Sequence, residues 1–126
     1  MKIFFATKFP GYYVTKTGKV FRDPQKNRGE KNPVEVSQHL RGGAYKKMYP
    51  SVNITLRDEN GKRLKQIRQY VHRLVAETLV ENSQGFVEID HIDGDKLNNS
   101  VENLRWCSRE TNVRHMIGND FYKLRG

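Results

Sequence analysis

The chain has 126 residues and a formal net charge of +9 at pH 7, with 36% hydrophobic and 29% charged residues. Its length fits one small domain, and it is too rich in aliphatic and aromatic residues for a disordered chain. The single cysteine, Cys107, excludes an intrachain disulfide and a zinc site with several thiolates, which fits a reducing cytoplasm. No apolar run is long enough to cross a membrane, so we expect no membrane partner.

The positive charge lies in the first part of the chain. Residues 1–69 contain 16 Lys and Arg against 5 Asp and Glu, a net charge of +11, whereas residues 70–126 have a net charge of −2. This distribution is typical of a polyanion-binding surface beside a cation-binding site. A lysine-rich surface that is merely well hydrated explains the same charge, and composition alone does not separate the two.

Short apolar segments between turn residues predict β-structure in the N-terminal third. Three strands are predicted there, at Lys2–Ala6, Tyr12–Val14 and Lys19–Arg22. Val34–Leu40 has mixed character and is a fourth candidate strand.

Arg41–Lys47 (RGGAYKK) combines two glycines with flanking cations. Backbone freedom beside Arg41, Lys46 and Lys47 suits a loop that follows a phosphate backbone. An ordinary hairpin loop with hydrated cations is the plainer interpretation for each residue alone.

The clearest N-terminal pattern is an amphipathic hairpin over Ser51–Tyr70. Val52 and Ile54 alternate with polar residues, which is the period of a strand with one buried face. The Asn60-Gly61 pair favours a turn. The cations on the outer face can lie in a DNA groove, or they can protect a sheet edge from aggregation.

Val71–Asn82 (VHRLVAETLVEN) predicts an amphipathic helix of about three turns that packs on both the hairpin and the segment after it. Ser83–Gly85 ends this helix. His72, in the first turn, can be a metal ligand or a phosphate contact. A histidine that hydrogen-bonds a neighbouring element is the favoured interpretation.

Glu88–His115 (EIDHIDGDKLNNSVENLRWCSRETNVRH) carries the densest group of polar residues with chemical potential. Ser108 is a good N-cap for a helix. In chain order, the predicted elements are strand Phe86–His91, loop Ile92–Asn99, strand Val101–Cys107 and helix Arg109–Ile117.

Asp90 and Asn112 offer a carboxylate and an amide oxygen, the hard donors that Mg²⁺ or Mn²⁺ prefers. His91 can take a proton from water near neutral pH, so these residues suggest a one-metal phosphodiesterase site. Asn112 and His115 lie one helical turn apart and can face the ion from one side. Neighbours in a regular strand point to opposite faces, so we expect the strand to end or twist at the Asp90-His91 pair.

A calcium loop is the competing interpretation of Asp90, Asp93 and Asp95. It fails because no D-x-D-x-D-G register is present and the glutamate required at the twelfth loop position is missing. We therefore expect Asp93 and Asp95 to form turns, and Asn98 and Asn99 to satisfy the loop backbone.

Residues 71–115 resemble the HNH nucleases, in the branch of phage and intron-associated homing endonucleases. The resemblance rests on VHRLVAETLVEN followed by IDHIDGDKLNNSVENLRWCSRETNVRH, which combine an Asp-His pair, a spaced central asparagine and a helical asparagine. Residues 12–70, with YYVTKTGKVFR and YPSVNITLRDENGKRL, resemble less closely the β-rich DNA-contacting segment of those enzymes.

The resemblance implies an α+β fold, in which a ββα-metal (His-Me finger) HNH motif follows a basic antiparallel β-rich segment. Residues 1–70 would be the DNA-contacting segment, and residues 71–126 the linking helix and the nuclease domain. The chain ends soon after the last predicted helix, so we expect no C-terminal helix-turn-helix module.

The motif positions imply a role for each residue. His91 matches the general base, and Asp90 the metal-binding aspartate before it. Asn103 matches the central asparagine that braces the loop and holds the histidine. Asn112 matches the last motif position, where many relatives have histidine and this branch uses asparagine as the second ligand. This departure from the literal pattern leaves the role of His115 open. His115 and His72 are possible additional site residues.

Together these features predict a metal-dependent DNA endonuclease with one Mg²⁺ or Mn²⁺ per site. It would act on double-stranded DNA as a monomer or homodimer, in the cytoplasm of a bacterial host if it is encoded by a phage. The alternative is a catalytically inactive nucleic-acid-binding module on the same scaffold. Candidate DNA contacts are Arg41, Lys46, Lys47, Arg105, Arg109 and Arg114.

Overall fold

Antiparallel strands dominate the computed structural model, which describes residues 3–42 and 48–112. Nine strands within those residues form three sheets, and one α-helix packs against all three. This mixture of strands and helix confirms the predicted α+β class. No helix in the described residues has the length and apolar character that crossing a membrane requires.

The first sheet is an antiparallel meander of β1 (Phe5–Ala6), β2 (Tyr12–Val14), β3 (Val20–Arg22) and β4 (Val34–Glu35). The predicted strand at β2 is confirmed at both ends, and the predicted strands on either side of it are longer than those observed. The β2–β3 turn requires Gly18, whose φ of 90° is disfavoured for residues with a Cβ.

The second sheet contains the predicted hairpin and consists of β5 (His39–Arg41), β6 (Tyr49–Arg57) and β7 (Arg63–Tyr70). Val52 and Ile54 are fully buried and Asn53 between them is exposed, so one face packs on the core as predicted. In the hairpin turn, Asp58 Oδ1 accepts two backbone hydrogen bonds at 2.9 Å.

The predicted strand at Val34–Leu40 is wrong, because this stretch belongs to two strands in different sheets. β4 pairs with β3, whereas β5 pairs with β6. The residues between them stay on the first sheet because Val36 N–H donates to the Val20 carbonyl (2.8 Å) and Gln38 Nε2 donates to the Gly18 carbonyl (3.0 Å).

The helix α1 (Val71–Leu79) ends three residues before the predicted Asn82. Val80 is already extended, and its carbonyl accepts a hydrogen bond from the Trp106 indole N–H (3.1 Å). The Asn82 side chain bonds the backbone N–H and carbonyl of Phe86 at 3.0 and 2.7 Å. Asparagine that bonds nearby backbone competes with the helix, which accounts for the earlier end.

The third sheet is a ribbon of β8 (Glu88–His91) and β9 (Leu104–Cys107). The predicted second strand began at Val101, but Val101–Asn103 is a short 3-10 turn. It is closed by a hydrogen bond from Asn103 N–H to the Ser100 carbonyl (2.9 Å).

One hydrophobic core joins these elements. α1 contributes Val71, Leu74, Val75 and Ala76 to it, as the apolar pattern predicted, and contacts both the second sheet and the β8–β9 ribbon. The described residues before and after position 70 therefore share this core. Its buried members are Tyr12, Val14, Val20, Val52, Ile54, Val71, Leu74, Val75, Ala76 and Leu104.

Candidate active site

The register of β8 and β9 sorts the candidate residues onto two faces of the ribbon. Asp90 lies opposite Arg105, and His91 lies opposite Leu104. Residues that face each other across an antiparallel pair share a face, so Asp90 and His91 point to different sides. His91 is the last residue of β8, and its carbonyl accepts a hydrogen bond from Gly94 N–H (2.9 Å). The strand thus ends where the Asp-His pair requires it to end.

One face of the ribbon is acidic and carries Glu88 and Asp90. Asp90 is only 5% exposed, and its Oδ2 accepts hydrogen bonds from Arg105 Nε (2.9 Å) and Nη2 (2.8 Å). Asn112 Nδ2 donates to Glu88 Oε2 (3.1 Å), which places its amide on the same face. Carboxylate and amide groups on one face are the donor set that a hard divalent cation takes, so these residues fit Mg²⁺ or Mn²⁺.

Ser108 caps the helical turn that carries Asn112 to the ribbon. Ser108 Oγ accepts a hydrogen bond from Thr111 N–H (3.2 Å) and donates to Thr111 Oγ1 (3.0 Å). Asn112 N–H donates to the Ser108 carbonyl (3.1 Å), and residues 109–112 are helical. The predicted N-cap is confirmed, while the rest of the predicted helix Arg109–Ile117 lies outside the described residues.

The other face of the ribbon carries His91, which is held by Asn99. His91 Nε2 and Asn99 Oδ1 are 2.7 Å apart, and the two residues are 7% and 4% exposed. Asn98 differs, because its Nδ2 bonds the Asp93 carboxylate (2.9 Å) within the loop. The expectation that both asparagines satisfy loop backbone is therefore wrong for Asn99. The sequence alone does not show which of the two adjacent asparagine side chains is buried against the histidine.

Aromatic rings cover the side of His91 that faces α1. The ring centroids of His72 and Tyr49 lie 5.2 and 6.1 Å from that of His91, and Tyr70 stacks on His72 at 5.4 Å. His72 Nδ1 is buried and has no hydrogen-bond partner among the described residues, so ring contacts replace the expected hydrogen bond to a neighbouring element. Burial, together with nearby His91 and Arg73, lowers the pKa of His72 to about 3.

Asn103 fastens the loop between the two strands. Its Oδ1 accepts a hydrogen bond from Asp93 N–H (3.0 Å), and its Nδ2 donates to Asp93 Oδ1 and to the Asn98 carbonyl (both 2.9 Å). Asp95 N–H also donates to Asp93 (2.8 Å). Hydrogen bonds to its carboxylate, that of Asn98 first, hold the pKa of Asp93 below its usual value.

The loop aspartates thus organise backbone, as the sequence predicted. In residues 3–42 and 48–112, no three His, Cys, Asp or Glu side chains are grouped closely enough to hold a metal ion. A calcium loop built from Asp93 and Asp95 therefore has no support.

The candidate DNA contacts are divided between several places. Arg41 ends β5 and Arg109 begins the helical turn of residues 109–112, and both are exposed. Arg105 is bound to Asp90, and its side chain is 46% exposed. The predicted residues Lys46, Lys47, Arg114 and His115 lie outside the described residues.

Comparisons with known proteins agree on one family. Residues 69–114 match the family model described as HNH endonuclease. Two uncharacterized HNH endonucleases of Acanthamoeba polyphaga mimivirus are 34% and 38% identical over 84% and 68% of this chain. DNA endonuclease I-HmuI of Bacillus phage SP01 is 43% identical over 37% of it. The chain spans only 19% to 27% of the length of these relatives.

A solved structure shows the same likeness. It is described as DNA binding and cleavage by the HNH homing endonuclease I-HmuI, and it matches with a TM-score of 0.62 and 28% sequence identity. The match covers 88% of this chain and 54% of that one, so it includes the β-rich segment as well as the ribbon.

Proposed function

Residues 69–114 belong to the HNH endonuclease family, and from this premise we propose that the chain is a metal-dependent DNA endonuclease that hydrolyses phosphodiester bonds. The observation that carries the proposal is the arrangement of polar side chains along β8. A buried carboxylate, Asp90, shares its face with the Asn112 amide, and the next residue, His91, is a histidine held by one ring nitrogen.

Asp90 and Asn112 would hold the cation in this proposal, with Glu88 beside them on the same face. When bound, the cation would supply Lewis-acid stabilisation of the charge on the phosphate and on the leaving 3′ oxygen. Arg105 fixes the Asp90 carboxylate through two hydrogen bonds to one oxygen. Ser108 orients the helical turn from which Asn112 reaches the ribbon.

His91 would act as the general base. Asn99 bonds its Nε2, which leaves Nδ1 as the ring nitrogen that would face the attacking water. An imidazole nitrogen with a free lone pair can take the proton of the attacking water near neutral pH. Asn103 would brace the loop that follows, which keeps the end of β8 in place.

The outer face of the second sheet would bind the DNA. Opposite pairs of β6 and β7 present exposed Asn53 with Arg68, and Thr55 with Gln66. Arginine and amide side chains can contact both phosphates and base edges. Tyr49, on this sheet, also contacts His91, so a duplex lying on the outer face would reach the end of β8.

A DNA-binding module without cleavage is the second candidate function. It is favoured by the Asp90–Arg105 pair, in which two hydrogen bonds from a guanidinium neutralise the carboxylate proposed as a metal ligand. Cleavage with added metal separates the two functions directly.

The test is cleavage of supercoiled plasmid with a series of divalent metals, for the wild type and for His91→Ala. We expect cleavage with Mg²⁺ or Mn²⁺, and His91→Ala to lose it by roughly 100-fold or more while DNA binding and metal binding persist. Open circles alone would indicate one acting site, and direct linearisation a pair of sites. Equal cleavage by His91→Ala would overturn the assignment of the base, and DNA binding without cleavage under any metal would favour the second candidate.

A further inference from the structure

We infer that Asn99 is a positioning residue for His91, one that fixes the tautomer of the imidazole, and that the turn at Gly18 holds Asn99 in place. Its catalytic consequence rests on the proposed function, in which His91 is the base. Neither Asn99 nor Gly18 belongs to the Asp-His, Asn103 and Asn112 positions by which the motif is recognised.

The contact itself specifies the tautomer. Asn99 Oδ1 lies 2.7 Å from His91 Nε2, and an amide oxygen can only accept a hydrogen bond. Nε2 therefore carries the proton and Nδ1 keeps its lone pair. With the opposite tautomer, Nδ1 would carry the proton and could not take another from water without first losing it. A bond to one ring nitrogen commonly sets the role of the other.

Burial favours Asn99 over water as the hydrogen-bond partner of His91. His91 and Asn99 are both buried, so water does not readily replace Asn99 as the acceptor. On the other side of the ring, His72 and Tyr49 restrict its rotation. One directional hydrogen bond therefore orients the His91 ring. The aromatic packing restricts the ring but does not distinguish its two nitrogens.

The first sheet determines where Asn99 lies. A Cβ at Gly18 would come within 2.8 Å of the Asn99 carbonyl oxygen and 3.0 Å of the Asn99 Cβ. The same turn fastens the loop from the other side, since Val101 N–H donates to the Lys16 carbonyl (2.8 Å). The turn of an N-terminal hairpin therefore controls the partner of a histidine on the β8–β9 ribbon.

The first experiment replaces Asn99 and measures kcat and KM for plasmid cleavage. Asn99→Leu removes the acceptor, and we expect kcat to fall by roughly 100-fold with KM for DNA changed less than about threefold. Asn99→Asp keeps an oxygen acceptor and should recover most of kcat. Asn98→Leu is the matched control, because it removes a neighbouring loop bond and should lower thermal stability without the same loss of kcat. Equal kcat for Asn99→Leu and the wild type would overturn the inference.

The second experiment reads the tautomer without any activity. Long-range ¹H–¹⁵N NMR of the histidine rings at about pH 8 should show His91 protonated at Nε2 in the wild type and in Asn99→Asp. A ring protonated at Nδ1 in the wild type would overturn the inference even if the enzyme cleaves. The expected tautomer in a protein that cleaves nothing would instead leave the positioning contact standing and reject the proposed function.

The third experiment tests the link to the first sheet. Gly18→Ala should lower kcat through the displaced Asn99, whereas Gly29→Ala should not. Gly29 also has positive φ, 71°, but a Cβ there meets nothing within 4 Å, so it controls for backbone strain alone. Equal effects of the two substitutions on kcat would reject the role of the Gly18 turn.

Discussion

His72 shows how a single partly buried side chain can make the stability of this protein depend on pH. Burial first, then His91 and Arg73, lowers its pKa to about 3, whereas an unfolded histidine titrates near its ordinary value of about 6.5. Between these values the unfolded chain holds a proton that the folded chain excludes. The contribution of His72 is therefore fully present above about pH 6.5 and is lost as the pH falls towards 3.

We expect His72→Phe to flatten this dependence. It removes a slope of at most about 1.4 kcal/mol per pH unit in the free energy of unfolding below pH 6.5, and also an unpartnered buried nitrogen. Urea unfolding at several pH values between about 7.5 and 4.5 measures it. His39→Phe, at an exposed position on β5, is the control and should leave the slope as it is. An unchanged slope in His72→Phe would contradict the prediction.

The sequence identified most of the polar residues that gather at the ribbon, but not how each is held. The spacing of Asp90, His91 and Asn112 was enough to bring them to one strand, where Asn112 contacts the first residue, Glu88, and their chemical roles stay predictions. Asn99 could not be singled out, because it packs against Gly18, which is far away in the sequence. His72 was noticed as a histidine in a first turn, but its ring contacts arise only when β6, α1 and β8 meet.

The helical turn after β9 depends on its N-cap, Ser108. Ser108→Ala loses the hydrogen bond to Thr111 N–H, which should lower the free energy of unfolding by about 1 kcal/mol. Fraying of this turn also loosens Asn112 from the acidic face. We therefore expect a higher Mg²⁺ concentration for half-maximal cleavage. Ser108→Asp keeps the cap and should restore both values, and a normal metal requirement in Ser108→Ala would argue against Asn112 as a ligand.

Elements with a strong local period were predicted well, and elements defined by long-range pairing were not. The hairpin of β6 and β7 has alternating apolar residues and a turn, so local sequence suffices. Val34–Leu40 is divided by hydrogen bonds to β3 and to the Gly18 turn, which no local pattern reveals. α1 was predicted too long because the local sequence at Val80 and Asn82 is compatible with a helix. In the structure, the Val80 carbonyl accepts a hydrogen bond from the Trp106 indole, and the Asn82 side chain donates to the Phe86 carbonyl.

The basic N-terminal part of the chain and the ribbon belong to one folded unit with a shared core. The basic N-terminal segment is not a separate tail, because its sheets share the core with α1 and β9. A hydrogen bond from Thr55 N–H to the Tyr12 hydroxyl (2.9 Å) joins the first two sheets. The cationic surface is therefore held in a fixed relation to the ribbon, which a site acting on a polyanion requires.

If the outer face of the second sheet binds DNA, replacing a cation on that face should weaken binding more than replacing a cation on the opposite face of the sheet. Arg68 pairs with exposed Asn53 on the outer face, whereas Lys65 pairs with Leu56 on the side that packs towards the core, and both cations are exposed on β7. Losing one phosphate contact reduces the slope of log affinity against log salt by about 0.9. We therefore expect Arg68→Ala to weaken DNA binding and lower that slope, and Lys65→Ala to leave it nearly unchanged. Fluorescence anisotropy with a labelled duplex over a salt series measures both. Because each variant removes one positive charge from the same strand, equal losses would mean that net charge, rather than this face, holds the DNA.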